Sequence, residues 1–164
     1  MIDPKHMRSM RELVRVWVTA IEETARDFYP HPREFCVRVY ENAAYNLMTI
    51  ASNEYGIKIK PAATIKDAME SYIELGLKTG LFEDASQFVL SEINPNRIEL
   101  SIFKCIYLPC CEDILAKSSG ISELTCPRIG CFVGGVGIMT NIACTYRLTA
   151  FDPTKCYQDY IKRI

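Results

Sequence analysis

The feature that most constrains this chain is a change in hydrophobic period near Gly80. Before it, apolar residues recur every three or four positions, the spacing that keeps side chains on one face of a helix. Met10, Leu13, Trp17, Ala20, Ile21 and Phe28 form one such stripe, and Asp3-Pro4 supplies a helix start, so Lys5 to Phe28 reads as an amphipathic helix. Arg8, Arg11 and Arg15 fall on its other side, interleaved with Glu12, Glu22 and Glu23, and read as a solvated face. Tyr29-Pro30-His31-Pro32 breaks that helix. Phe35, Val39, Ala43, Leu47, Ile50 and Tyr55 mark a second, ending at Gly56. Thr64 caps a third, carrying Ile65, Ala68, Met69, Tyr72 and Ile73 and stopped by Gly80.

Beyond Gly80 the period shortens to two. Gln87 to Ile93 reads as extended, Asn94-Pro95-Asn96 as a turn, and Ile98, Leu100 and Ile102 alternate with Glu99 and Ser101, which is a β-hairpin. Pro109 opens a short helix over Cys110 to Ser118, a turn at Gly120 follows, and the glycine-rich segment around Cys131 is compatible with a helix. Strands near Ala143 to Phe151 and Cys156 to Arg163 close the pattern. Helices, hairpin, short helices and a final hairpin predict an α+β fold in which N-terminal helices pack on an antiparallel sheet. Residues 1–29 read as an N-terminal helix, possible as a dimerisation element, and residues 30–164 as the main domain.

A net charge of −1 over 164 residues provides no field to steer the chain onto nucleic acid or an anionic membrane, so binding to either is not expected without a local basic patch. Apolar runs are interrupted by charges, Pro or Gly well short of a bilayer span. The first ten residues lack the apolar run of a secretory signal, so a cytoplasmic location is expected, where structural disulfides are unusual.

That expectation gives the cysteines their meaning, because seven of eight fall between Cys105 and Cys156. Thiolates supply the charge and polarisability that Zn²⁺ needs from about four converging ligands. Cys126 and Cys131 flank Pro127-Arg128-Ile129-Gly130, which permits a turn. Cys105 and Cys110 repeat the four-residue gap at a strand-to-helix junction, and the last hairpin returns Cys156 toward the sheet. Cys105, Cys126, Cys131 and Cys156 are the expected metal ligands, with Glu112, Asp113, Glu123 or Asp152 as carboxylate alternatives. Cys36 and Cys111 read as small buried hydrophobes, and Cys144 is open between packing and ligation. An iron–sulfur cluster is the lesser expectation, since the familiar runs with two residues between cysteines are missing.

Nucleophilic cysteine chemistry lacks a nearby His, the two histidines being His6 and His31. Gly130, Gly134, Gly135 and Gly137 fit neither phosphate-loop pattern and suit close backbone packing instead. Phe132, Val133 and Val136 are candidates to line a pocket for a hydrophobic ligand, with core packing as the alternative.

The segment Cys131-Phe132-Val133-Gly134-Gly135-Val136-Gly137, followed by two strands and Cys156, resembles the C-terminal signature of the vinyl-4-reductase domain family. Tyr40 to Gly56, Ile65 to Phe82 and Arg97 to Cys105 resemble its helices and middle strand, so the likeness spans residues 30–164. It implies a fold shared with Golgi transport-particle subunits and haem-based nitric-oxide sensors, a homodimer, and an internal pocket for a small hydrophobic molecule. It further implies zinc held by a Cys before the glycines, a Glu-x-x-Cys and a Cys in the final hairpin. Cys131 and Cys156 match the first and a later position. No Glu-x-x-Cys precedes Cys156, and Cys105 and Cys126 take the remaining places. A zinc-bearing sensor or binding domain is the function so implied. The alternatives are a reductase acting on the vinyl group of a tetrapyrrole-like substrate, for which no hydride-donor site is visible, and a subunit that acts by association.

Overall fold

In a computed structural model the described residues form five α-helices and a four-stranded antiparallel sheet, an α+β arrangement. The structure describes residues 4–117, 124–152 and 155–163, with side chains described for 8–117, 124–151 and 161–163. The Gly120 turn, Glu123 and the side chains of Asp152 and Cys156 lie outside them. The elements are α1 (Pro4–Phe28), α2 (Pro32–Tyr55), α3 (Ile65–Lys78), β1 (Phe88–Asn94), β2 (Arg97–Ile102), α4 (Leu108–Ala116), α5 (Pro127–Thr140), β3 (Cys144–Asp152) and β4 (Lys155–Arg163). Among the described residues no helix is long and apolar enough to cross a membrane.

The expected punctuation operates as its chemistry requires. Gly56 ends α2 at φ 65°, a left-handed conformation that glycine adopts without a Cβ penalty. Thr64 Oγ1 accepts a hydrogen bond from the Asp67 amide at 3.0 Å and caps α3. The sheet runs β1-β2-β4-β3, with pairs such as Leu90↔Leu100, Ser101↔Gln158 and Tyr146↔Ile161. Alternation sends Ile98, Leu100, Ile102, Tyr146, Leu148 and Ile161 inward, where they are buried.

The centre of the core is α5, which is apolar around most of its circumference because it is covered on several sides. Phe132 packs against Tyr72, Phe82 and Phe88 with ring centroids 5.0, 6.3 and 5.5 Å away. On the α2 side the helices meet almost backbone to backbone. A Cβ on Gly130 would stand 2.6 Å from Tyr40 Cβ, and one on Gly134 only 2.8 Å from Glu41 Cα. The glycines therefore act by absence of bulk, as their spacing suggested.

Two expectations for α1 are corrected. Most of its apolar stripe does not face the domain: Met10, Leu13, Trp17 and Phe28 are 47, 51, 62 and 76% exposed, while Ile21 packs against Ala25, Cys36 and Tyr40. The line that is buried runs through Val18, Glu22 and Ala25. Orientation is set by polar anchors that periodicity cannot register. Arg15 donates from Nε and its terminal nitrogen to the two Asp113 oxygens at 2.6 and 2.7 Å, and Lys117 pairs with Glu23, joining α1 to α4. The second correction concerns Glu22 and Arg15, which are not simply solvated. Glu22 is 2% exposed and accepts a hydrogen bond from the Tyr40 hydroxyl at 2.6 Å, beside Cys36 and Ala25.

Candidate functional site

Cys105, Cys110, Cys111 and Cys126 lie at the end of β2, the start of α4 and the start of α5. Cys105 follows β2 after Lys104, whose φ of 52° turns the chain out of the strand. Cys110 and Cys111 lie in the first turns of α4, and Cys126 is the N-cap residue of α5. Cys105, Cys110, Cys111 and Cys126 are all buried. Cys110 Sγ lies 2.8 Å from the Tyr107 carbonyl oxygen, to which it donates. The hydrogen bond to Cys110 and burial push the Cys111 thiol well above its ordinary range, and Cys126, Cys110 and Cys105 add to the shift. Cys111 is a buried core residue, as expected, and these thiols lie near enough to influence it.

The segment carrying Cys126 is held by residues distant in sequence. Arg33 on α2 donates to the carbonyls of Leu124 and Tyr146, both at 3.0 Å, and lies over the Tyr146 ring. The Tyr146 hydroxyl donates to the Cys126 carbonyl at 3.3 Å. Residues 124–130 are buried as a continuous run.

Within that run lies Arg128, 5% exposed. Its guanidinium carbon sits between two aromatic faces, 4.6 Å from the centroid of Phe82 and 5.0 Å from that of Tyr107. Burial works against the cation, but Cys105, Tyr107 and Cys131 more than offset it, and a hydrogen bond to Cys105 adds to this, so its pKa is raised. Among the described residues no carboxylate pairs with it, and its Nε has no hydrogen-bond partner. The neighbouring thiol of Cys131 is pushed up to about 11 by burial, with Arg128 and a hydrogen bond from Tyr72 pulling the other way. Sequence reasoning passed over Arg128 and Arg33. A signal for the first was present, since Arg128 is the one charged residue in the apolar run 124–139.

The expected ligands are thus brought together in part. Cys105 and Cys126 share a thiol group with Cys110 and Cys111. Cys131 is hydrogen-bonded to Tyr72 and lies near both Arg128 and Cys105. Cys156 belongs to β4, and the pair Ser101↔Gln158 carries its position to the level of Phe103, at the same end of the sheet as Cys105. Cys144, at the start of β3, is half-buried and pushed up to about 11 by burial, with Arg163 opposing. The donor set is soft and suits a thiophilic ion. Among the described residues no three His, Cys, Asp or Glu side chains are already grouped to hold one.

Of the residues expected to line a ligand pocket, Phe132 and Val136 are wholly buried in the core. Val133 borders an open groove of about 440 Å³ between α2, α5 and the start of β3, with Tyr45, Gly137, Ile138 and Cys144 on its walls. A larger concavity, about 1080 Å³, lies along the sheet beside Arg97, Arg147, Lys162 and Arg163. Glu99 falls one register step from Arg97 on the same strand face, across β4 from Arg147.

Compared with known proteins, the chain matches no family model, no curated protein and no solved structure.

Proposed function

We propose that the C-terminal half is stapled by a zinc–thiolate centre, and that the domain serves as a binding or sensing module for a small hydrophobic molecule. The observation that carries the metal is Arg128. The buried guanidinium lies over two aromatic rings and beside thiols, with no carboxylate among the described residues paired to it and its Nε without a partner, so an anionic group next to it would be favoured. Zn²⁺ with four thiolates has a net charge of −2 and supplies the missing counter-charge beside it. We take Cys105, Cys111 and Cys126 as three of its donors, on their burial and mutual electrostatic influence, and Cys156, carried by β4, as the fourth. Bound there, the ion contributes folding energy by joining sheet, α4 and α5.

Two supports bear on the rest of the reading. The groove along α5 is of a size for a small ligand and has the exposed faces of Tyr45 and Ile138 on its walls. Helices packed on a four-stranded antiparallel sheet accord with the vinyl-4-reductase type of fold, which is the finer assignment we favour.

The test is zinc content by elemental analysis of the reduced full-length protein after dialysis. About one zinc per chain is expected. Cys111→Ser and Cys126→Ser should lose it and Cys131→Ser should keep it; the reverse pattern would restore Cys131 as a ligand in place of Cys111. Arg128→Leu should weaken zinc retention, because the cation beside the anionic centre is gone. Stoichiometric absence of metal from protein with fully reduced thiols would overturn the centre.

A further inference from the structure

We infer that the outward face of α1 is a self-association surface, on which a second copy of this chain lays its own α1 antiparallel. Three observations point to a helix of the same sequence as the occupant.

The first is spacing. Met10, Leu13, Trp17, Ala20 and Thr24 are separated by three, four, three and four residues, the alternation of a coiled-coil seam, and all five are exposed. The seam lies opposite the line through Val18, Glu22 and Ala25 that packs on the domain, so a partner helix displaces nothing.

The second is area. Met10, Leu13, Val16, Trp17 and Phe28 are each 47–76% exposed. With side-chain areas on the order of 150–250 Å² for the aromatics, they leave roughly 600 Å² of apolar surface on each copy. That is at the upper end of the largest apolar patch a monomer leaves bare, a size that is often functional, and most of the roughly 800 Å² that each partner gives to a standard interface. The helix is 25 residues long, about 37 Å, enough to present all of it to one partner.

The third is self-complementarity, which an interface with two-fold symmetry demands because residue i must suit residue j in both directions. A two-fold axis between Val18 and Thr19 sets Trp17 over Ala20 of the partner subunit and Leu13 over Thr24 of the partner subunit. Phe28 then falls on Ser9 of the partner subunit. Each large side chain meets a small one. The acids flanking the seam are not opposed to each other: Glu23 faces Val14 of the partner subunit, and Asp27 faces Met10 of the partner subunit. A parallel pairing would stack Trp17 on its own copy and lose this fit.

Sedimentation velocity of the full chain in reducing buffer, from about 1 to 100 μM, tests the surface. A dimer is expected. Trp17→Glu should weaken it at least about 30-fold, as removal of a central tryptophan anchor does, while its circular dichroism and melting as a monomer stay those of a folded domain. Leu13→Glu and Thr24→Lys should each weaken the dimer, and the double variant Leu13→Glu/Thr24→Lys should recover it, since residues 13 and 24 meet only across the antiparallel pair. A monomeric parent at 100 μM, a dimer indifferent to Trp17→Glu, or a double variant no tighter than its single parents would each overturn the assignment.

Discussion

Two alanine substitutions in one helix should change stability in opposite directions, because one glycine of α5 faces backbone and the other faces open space. A Cβ on Gly134 would lie 2.8 Å from Glu41 Cα, 2.9 Å from Glu41 O and 3.1 Å from Ala44 Cβ. The first two are backbone atoms, which cannot rotate away, so α2 and α5 must separate by several tenths of an ångström along their shared face. Overpacking of this kind costs about 1–3 kcal/mol, and a backbone obstacle puts it at the upper end. Alanine returns about 1 kcal/mol of helix propensity. The net expectation for Gly134→Ala is a loss of about 2 kcal/mol, or a Tm lower by about 4–8 °C for a chain of this length. Gly137 sits one turn later, and a Cβ there would meet only Ile142 O at 3.9 Å, an ordinary contact. Gly137→Ala should therefore gain about 0.5–1 kcal/mol from the stiffer unfolded chain and better helix propensity. Urea titrations of both variants, read by circular dichroism, measure the two signs together. A Gly134→Ala protein as stable as the parent, or a Gly137→Ala protein less stable by more than about 1 kcal/mol, would refute the close-approach argument.

Two further outcomes follow from buried or paired carboxylates. Burial raises the Glu22 carboxyl above its ordinary range, with the Tyr40 hydrogen bond, Arg26, Cys36 and Arg33 opposing. A raised folded-state pKa means that the ionised form costs stability as pH rises from the ordinary carboxylate range through the folded value. Glu22→Gln keeps an acceptor for Tyr40 and should stabilise the protein at pH 7 by about 1 kcal/mol, the scale of a poorly compensated buried polar group. Its advantage should vanish at pH 4; thermal melts that show an equal gain at both pH values would contradict this. The hydrogen bond from Arg15 holds Asp113 below the ordinary range, so its contribution is full at neutral pH and lost as pH falls through the folded value. Asp113→Asn should therefore lower the melting temperature at pH 7 and converge on the parent in acid, and a pH-independent difference would show that the pair does not anchor α1.

Much of the fold was legible because its determinants are local. The switch of period at Gly80, the Thr64 cap, Gly56 and the Asn94-Pro95-Asn96 turn act within a few residues of themselves, and each element stands close to where its pattern put it. The face of α1 was not legible. A stripe shows which residues are alike, but burial there is decided by Asp113, Lys117 and Tyr40, which are 18 to 98 positions away from their partners. The candidate site was read in outline. Cysteine density singled out residues 105–156, and Cys111 is the buried core residue it was read to be; which thiols face one another was not legible, because spacing along a helix does not tell which side meets a neighbouring loop. Arg128 went unread for a related reason. A single charge in an apolar run looks like a surface position until two aromatic rings, from Phe82 and Tyr107, are known to enclose it. Phe132 and Val136 carry the same ambiguity, since a helix that is apolar nearly all round does not declare which of its sides borders a groove.

The strand order has a consequence for how the protein is made. β4 follows every other element in the chain yet occupies an inner place in the sheet, between β2 and β3. During synthesis β2 can pair with β1 as soon as both emerge, while its second edge waits for residues some 57 positions later, as in Ser101↔Gln158. Helices, with their near-neighbour contacts, form meanwhile on a sheet that is half built. The newborn chain thus carries an open β2 edge flanked by Ile98, Leu100 and Ile102, a surface suited to mispairing with other nascent chains. Loss of the last strand would not trim a border of the sheet; it would cut the sheet in two.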